Sequence, residues 1–194
     1  QTYTHPLWTL LISSMASFTR EIPYTTLAIS LATSSLTVCL LAFSVAQSSL
    51  GAVVGIAFLI CSKSFIDYST SGLENPLTHL LLVSFIVLYR RPISEQKHLI
   101  ALAFLSGLVT LNRLDTSLLL LPALGAVWWH QRSWQTARLI ALGFTPFFLW
   151  ELFSLVYYGS PVPNTAYAKL NVGIPVKELI EHGIHYIANS FLLD

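Results

Sequence analysis

The chain has 194 residues, a net charge of +1, 54% hydrophobic residues and only 10% charged ones. An average soluble domain is about a quarter charged, so a water-soluble fold of this size could not cover itself, and the composition reads as a polytopic α-helical membrane protein. The near-neutral balance gives no basic field for nucleic acid.

In chain order, apolar segments fall at about 7–19, 24–46, 50–62, 76–89, 98–112, 115–129 and 138–158. A single span takes about 20 residues, so the shorter segments must borrow flanking Ser, Thr and Tyr or pack inside a bundle. The expected fold is all-α, a membrane bundle of about six transmembrane helices with juxtamembrane and amphipathic additions. Segment 7–19 is short for a crossing and is read as juxtamembrane or half-inserted. The alternative is that it spans and that the 40–50 region is re-entrant. Cys39 and Cys61 stand inside apolar runs and read as small buried hydrophobes. No Cys/His pair has zinc spacing, and no Gly-rich phosphate-cradling motif is present.

Two connections are basic, Arg90-Arg91 to Lys97-His98 and His130 to Arg138. The positive-inside rule assigns both to the cytoplasm. Loops 63–75, 112–116 and 159–175 then share the extracytoplasmic side and carry Lys63, Asp67, Glu74, Arg113, Asp115 and Lys169. Charges at helix mouths are costly unless paired or used. Arg113 and Asp115 can form a local pair that turns two helices, or Arg113 can grip a phosphate with its planar fork. Glu74, just ahead of Pro76, can complement a helix dipole. Pro161 and Pro163 stiffen the last loop and would aim Asn164, Tyr167 and Lys169 at one place. Glu151, a lone acid in an apolar helix, must meet a cavity, a partner or the interface. After Pro175, apolar Val176, Leu179, Ile180, Ile184, Ile187 and Phe191 recur at helical spacing opposite a polar face. Residues 175–193 therefore read as an interfacial amphipathic helix. His182 and His185 on the polar face are three apart but read as solvated rather than metal-binding.

Four stretches resemble a known family. Thr2-Tyr-Thr-His-Pro-Leu-Trp8 is similar to its "GYTNPLW" element, and Ser71-Gly-Leu-Glu74 matches "SGLE". Asn112-Arg-Leu-Asp115 takes the place of "TRPEG", without its Pro-Glu-Gly. Tyr157-Tyr-Gly-Ser-Pro-Val-Pro-Asn-Thr-Ala-Tyr-Ala-Lys169 is close to "YYGxxxPNTxYAK". The family is that of polyprenyl-phosphate-sugar-dependent glycosyltransferases of the GT-C superfamily. The nearest group within it holds the bacterial terminal β-(1,2)-arabinofuranosyltransferase type.

The resemblance implies a lipid bilayer setting in a bacterial inner membrane, with an active extracytoplasmic side. The donor would be a polyprenyl-phosphate-linked sugar and the acceptor a glycan. Asp67, Glu74, Arg113, Asp115, Asn164, Tyr167 and Lys169 are the expected substrate-binding residues. Arg113 and Lys169 would lie near phosphate, and Asp67 and Glu74 would orient sugar hydroxyls or hold a divalent cation. The family's catalytic base belongs to an outer loop that would precede Gln1. The chain, which starts without methionine and stops at Phe191-Leu-Leu-Asp194, is therefore expected to be a piece of a longer protein, inactive alone. The rival expectations are a transporter or flippase of lipid-linked sugars, with polar groups at mid-membrane, and a non-catalytic membrane subunit.

Overall fold

A computed structural model describes residues 4–91, 96–160 and 173–193, and among these the chain is helical throughout, with no strand. The helices are α1 Pro6–Thr19, α2 Ile22–Leu40, α3 Ser49–Cys61, α4 Lys63–Ser69, α5 Asn75–Tyr89, α6 Gln96–Asn112, α7 Ser117–Gln131, α8 Trp134–Gly143, α9 Thr145–Tyr158 and α10 Val176–Leu193. A π-helical turn, Leu41–Val45, continues α2, and a 3-10 turn, Leu114–Thr116, precedes α7. Four helices open with Pro in their first turn: α1, α2, α5 and α9. Proline is suited there because that N–H would lack a helical partner anyway.

α6 is central and packs against α1, α5, α7, α8 and α9, while α2 runs along α5. Leu102 and Val109 of α6 are fully buried and meet Leu77, Leu81 and Phe85 of α5, Leu120 and Leu124 of α7, and Trp8 of α1. The α6–α8 crossing depends on Gly143, where an added Cβ would come within 2.3 Å of the Ala103 Cβ and 2.7 Å of its backbone. Small residues at such a crossing let backbones approach closely.

One helix, α2, is inside-out by the standards of a soluble fold. α2 buries Thr25, Ser30, Thr33, Ser34 and Thr37 and exposes Leu27, Leu31 and Leu36. Thr33 and Thr37 return their hydroxyls to backbone carbonyls one turn earlier, which satisfies them inside the bundle. A helix that turns leucines outward and hydroxyls inward fits an apolar solvent. By length and composition one helix, Ile22–Val45, is apolar and long enough to cross a membrane. Two bent pairs raise the number to three if each is one span: α3 with α4, bent by 73°, and α8 with α9, bent by 58°.

The single apolar segment expected over 138–158 is thus broken, at Phe144. Pro146 cannot donate to the Leu142 carbonyl, and the Thr145 hydroxyl takes that carbonyl instead. Cys39 and Cys61 were expected to be buried, yet both are exposed. They lie on the apolar outer surface, where a small hydrophobe suits lipid as well as it suits a core.

The polar connections sort to two ends. At one, the Arg90 guanidinium donates to the Val45 carbonyl, and His98 bonds the Leu88 carbonyl at 2.9 Å. Arg91 and His130 line one groove at this end. At the other end lie the starts of α2 and α5 and the end of α6. α1 lies across that second end. Trp8, near its start, donates to Gly72 O at 3.0 Å, and Thr19, its last residue, hydrogen-bonds Thr25 in the first turn of α2. α10 follows Pro175 as expected from the pattern, and residues 173–189 are all exposed.

Candidate functional site

Glu74 is the residue before α5. It stands at the N-terminus of α5, but its side chain makes no cap hydrogen bond there; other partners hold it. Arg113 Nη1 donates to Glu74 Oε1 at 3.2 Å, and His5 Nε2 stands 3.4 Å from the same oxygen. Glu74 is only 5% exposed. A carboxylate that secluded needs partners, and here the α6–α7 turn sends a guanidinium and the residue ahead of α1 an imidazole.

Arg113 uses both edges of its fork. Nε and Nη2 donate to Asp115 Oδ1 and Oδ2 at 3.0 and 2.6 Å, and Nη1 also donates to Asn75 Oδ1 at 2.9 Å. The local pair expected in the turn is therefore present. The hydrogen bonds from Arg113 hold the Asp115 carboxyl below the usual carboxylate range, and those same bonds raise the guanidinium above its ordinary value. The Asp115 side chain is 62% exposed against 7% for Glu74, so the two acids differ sharply in how easily they can be displaced.

Asn112 holds the frame. It is fully buried, and its Nδ2 donates to the Glu74 carbonyl at 3.2 Å and to Thr78 Oγ1 at 2.9 Å. Its own carbonyl accepts from His5 Nδ1 at 3.0 Å. Gly72 takes a positive φ of 76°, which presents its carbonyl to Trp8 without Cβ strain. Three segments far apart in the chain, at 5–8, 72–78 and 112–116, thus meet through side-chain contacts at one end of the bundle.

Beside this cluster an apolar groove of about 420 Å³ opens between α2, α3, α4 and α5. Thr37, Leu41, Leu59, Leu82 and Val83 form its apolar length; Ser64, Tyr68, Asn75 and His79 give it a polar rim. The His79 ring lies 5.5 Å from that of Phe65. Asn75 is common to both features: it lines the groove and accepts from Arg113.

Of the residues expected to bind substrate, Glu74, Arg113 and Asp115 are brought together. Lys63 and Asp67 are exposed on α4, with no hydrogen bond or ion pair among the described residues. Asn164, Tyr167 and Lys169 lie outside the described residues. Glu151 is half-buried on α9 and makes no ion pair among the described residues. No group of three or more His, Cys, Asp or Glu fit to hold a metal occurs among the described residues. His5, Trp8, Asn75, Thr78 and Asn112 were not singled out from the sequence, although His5, Trp8 and Asn112 stand inside the stretches that carry the family resemblance.

The chain is similar to an arabinofuranosyltransferase. It is 34% identical over 132 residues to the terminal beta-(1->2)-arabinofuranosyltransferase of Mycobacterium tuberculosis (strain ATCC 25618 / H37Rv). That match covers 63% of this chain and 20% of the relative, so the chain spans about a fifth of that protein's length. No family model matches, and neither does any solved structure.

Proposed function

We propose that this chain is part of the membrane core of a GT-C type glycosyltransferase, which moves a sugar from a polyprenyl-phosphate donor to an envelope glycan or lipid-linked acceptor. The observation that carries the reading is the junction at Asn75 of a charged cluster with an apolar groove. An amphiphilic donor needs both at once: a channel for its chain and polar groups for its head. The similarity to an arabinofuranosyltransferase supports the same class.

In this reading the bundle sits in a bacterial inner membrane with the Glu74–Arg113 end extracytoplasmic and the basic end inside. Six crossings are assigned to α2, α3–α4, α5, α6, α7 and α8–α9. α5 and α7, 15 residues each, are only about 22 Å long, so the bilayer must thin or the helices must be flanked by other protein. Arg113 and Lys169 bind the donor phosphate. Asp115 is the exposed partner of Arg113, and a phosphate can replace it on the Nε–Nη2 edge in the same two-pronged geometry. Glu74, fixed between His5 and Arg113, keeps the fork aimed. Asp67, Asn164 and Tyr167 contact sugar or acceptor.

The acceptor hydroxyl attacks the anomeric carbon, and the bond from that carbon to phosphate oxygen breaks. The electron pair leaves on the polyprenyl phosphate, and a carboxylate takes the hydroxyl proton. The family resemblance assigns that base to one of the family's outer loops. Charge stabilisation of the departing phosphate is the work asked of Arg113.

The test is sugar transfer by the full-length protein in liposomes holding a polyprenyl-phosphate sugar and an acceptor glycan. Arg113→Lys keeps the charge but not the fork, and should cut turnover roughly 10- to 100-fold, the worth of about 1.5–3 kcal/mol of charged hydrogen bonding. Full turnover in that variant, or lipid translocation without transfer by the parent protein, would overturn the assignment.

A further inference from the structure

The basic end carries a second feature that the transfer reaction does not use. Arg91, Lys97, His130, Arg132 and Arg138 gather there, and each ion pair among the described residues lies at the opposite end, on Glu74 or Asp115. Two of these cations are held over indole rings: Arg132 lies 4.4 Å from the Trp129 ring centre, and Arg138 lies 5.6 Å from that of Trp134. Between the ends of α5 and α7 is a groove of about 400 Å³, lined by Tyr89, Arg91, Ala126, Val127, His130 and Gln131. Its lining combines apolar Ala126 and Val127 with an arginine and a histidine. Arg90, next in line, is already committed to the Val45 carbonyl.

We propose that this groove is a binding site for the headgroup of one anionic phospholipid. A phosphodiester placed between Arg91 and His130 gains charged hydrogen bonds that no acid among the described residues supplies. The glycerol and upper acyl carbons then lie against Ala126 and Val127, and the chains follow the exposed apolar face of α7, where Leu118, Leu119 and Leu121 point outward. Tyr89 and the Trp128–Trp129 pair supply the aromatic ring belt of an interface at the same level. A neutral lipid offers no net charge to Arg91, and a free phosphate gains nothing from Ala126 and Val127. Basic pockets between helices on the cytoplasmic face are suited to anionic headgroups. The site needs only that the bundle be embedded in a membrane, so it stands or falls apart from the glycosyltransferase reading.

The experiment is native mass spectrometry of the full-length protein released from a neutral detergent. The probes are phosphatidylglycerol, phosphatidylcholine and inorganic phosphate. Phosphatidylglycerol should be retained as one saturable adduct, phosphatidylcholine should not, and millimolar inorganic phosphate should fail to displace it. Arg91→Gln with His130→Gln should weaken retention roughly fivefold or more, about the worth of the one arginine charge removed. Arg91→Lys should keep most of it, and Lys97→Gln, outside the groove, should change it little. The replaced side chains are exposed, and unchanged thermal midpoints would show that the variants are folded. Non-saturating adducts, equal loss in Lys97→Gln, or ready displacement by inorganic phosphate would each show a diffuse basic surface or a plain anion site, and would overturn the proposal.

Discussion

Arg113 has two acidic partners, and the shorter contact should be the weaker one. Asp115 meets the guanidinium at 2.6 and 3.0 Å, whereas Glu74 meets it at 3.2 Å. By distance alone Asp115 would dominate. Burial reverses that order: the Asp115 side chain is 62% exposed and Glu74 7%. An exposed ion pair contributes about 0.2–1 kcal/mol even in good geometry. A charged hydrogen bond to a secluded carboxylate contributes about 1.5–3 kcal/mol, and losing the partner leaves a charge with little access to water. Double-mutant cycles on the full-length protein in detergent, pairing Arg113→Gln with Glu74→Gln and then with Asp115→Asn, isolate the two couplings. The expected result is about 2 kcal/mol for Glu74 and under about 1 kcal/mol for Asp115, with the second fading in about 1 M salt. The pH dependence has a definite sign. Because Arg113 lowers the Asp115 carboxyl, the contribution of that acid is complete above its unfolded value of about 3.9 and is lost only as pH falls through the lower native one. The loss of stability on Asp115→Asn should therefore be the same at pH 7 as at pH 5. A coupling to Asp115 equal to or above that of Glu74 would refute the claim that burial, not distance, ranks these contacts.

Gly143→Ala should destabilise the bundle by about 2 kcal/mol or more, because the new Cβ meets both the Ala103 side chain and its backbone; a paired Ala103→Gly change should recover only part, as seen by thermal unfolding. Asn112→Asp should cost more than Asn112→Ala, since it puts an acid in a fully buried position against the Glu74 carbonyl; a stable Asp variant at pH 7 would show that water reaches the frame. Cysteines placed at 95 and 69 should label from opposite faces of intact cells, with 69 reactive from outside; the reverse pattern would invert the proposed orientation.

Segment positions were legible because apolar runs announce helices whatever solvent surrounds them. The predicted limits 24–46, 50–62 and 76–89 correspond to elements ending at Val45, Cys61 and Tyr89. What hydropathy did not show was which face of each helix is buried. In α2 the buried face is hydroxyl-bearing and the exposed one leucine-rich, the reverse of the soluble pattern. The break at Phe144 was written in Gly143-Phe-Thr-Pro146 but masked by apolar residues on both sides. The site was half legible. Charges at helix mouths picked out Glu74, Arg113 and Asp115 because charge is rare in this chain. Neutral residues that fix them, Asn112 above all, carry no such flag: one amide in an apolar helix end looks like a boundary residue until its contacts are known.

The division of labour within the cluster follows from that difference between neutral and charged groups. Asn112 and Thr78 bind backbone and each other from fully or nearly fully buried positions, so they fix where the α5 start and the α6 end meet. Trp8 does the same for α1 through the Gly72 carbonyl. Once three backbones are pinned by neutral hydrogen bonds, the charges are not alone in holding the fold together. Glu74 then serves as an electrostatic anchor for one edge of the Arg113 fork, while the other edge, with its exposed Asp115, can exchange partners at little cost. A site built this way can bind an anion without unfolding its own frame. It should therefore tolerate loss of Asp115 far better than loss of Glu74, in activity as in stability. Asp115→Asn with near-parental turnover and Glu74→Gln with at least a tenfold loss is the pattern expected in the liposome transfer assay; equal losses in the two would mean that Asp115 is itself part of the binding edge rather than its placeholder.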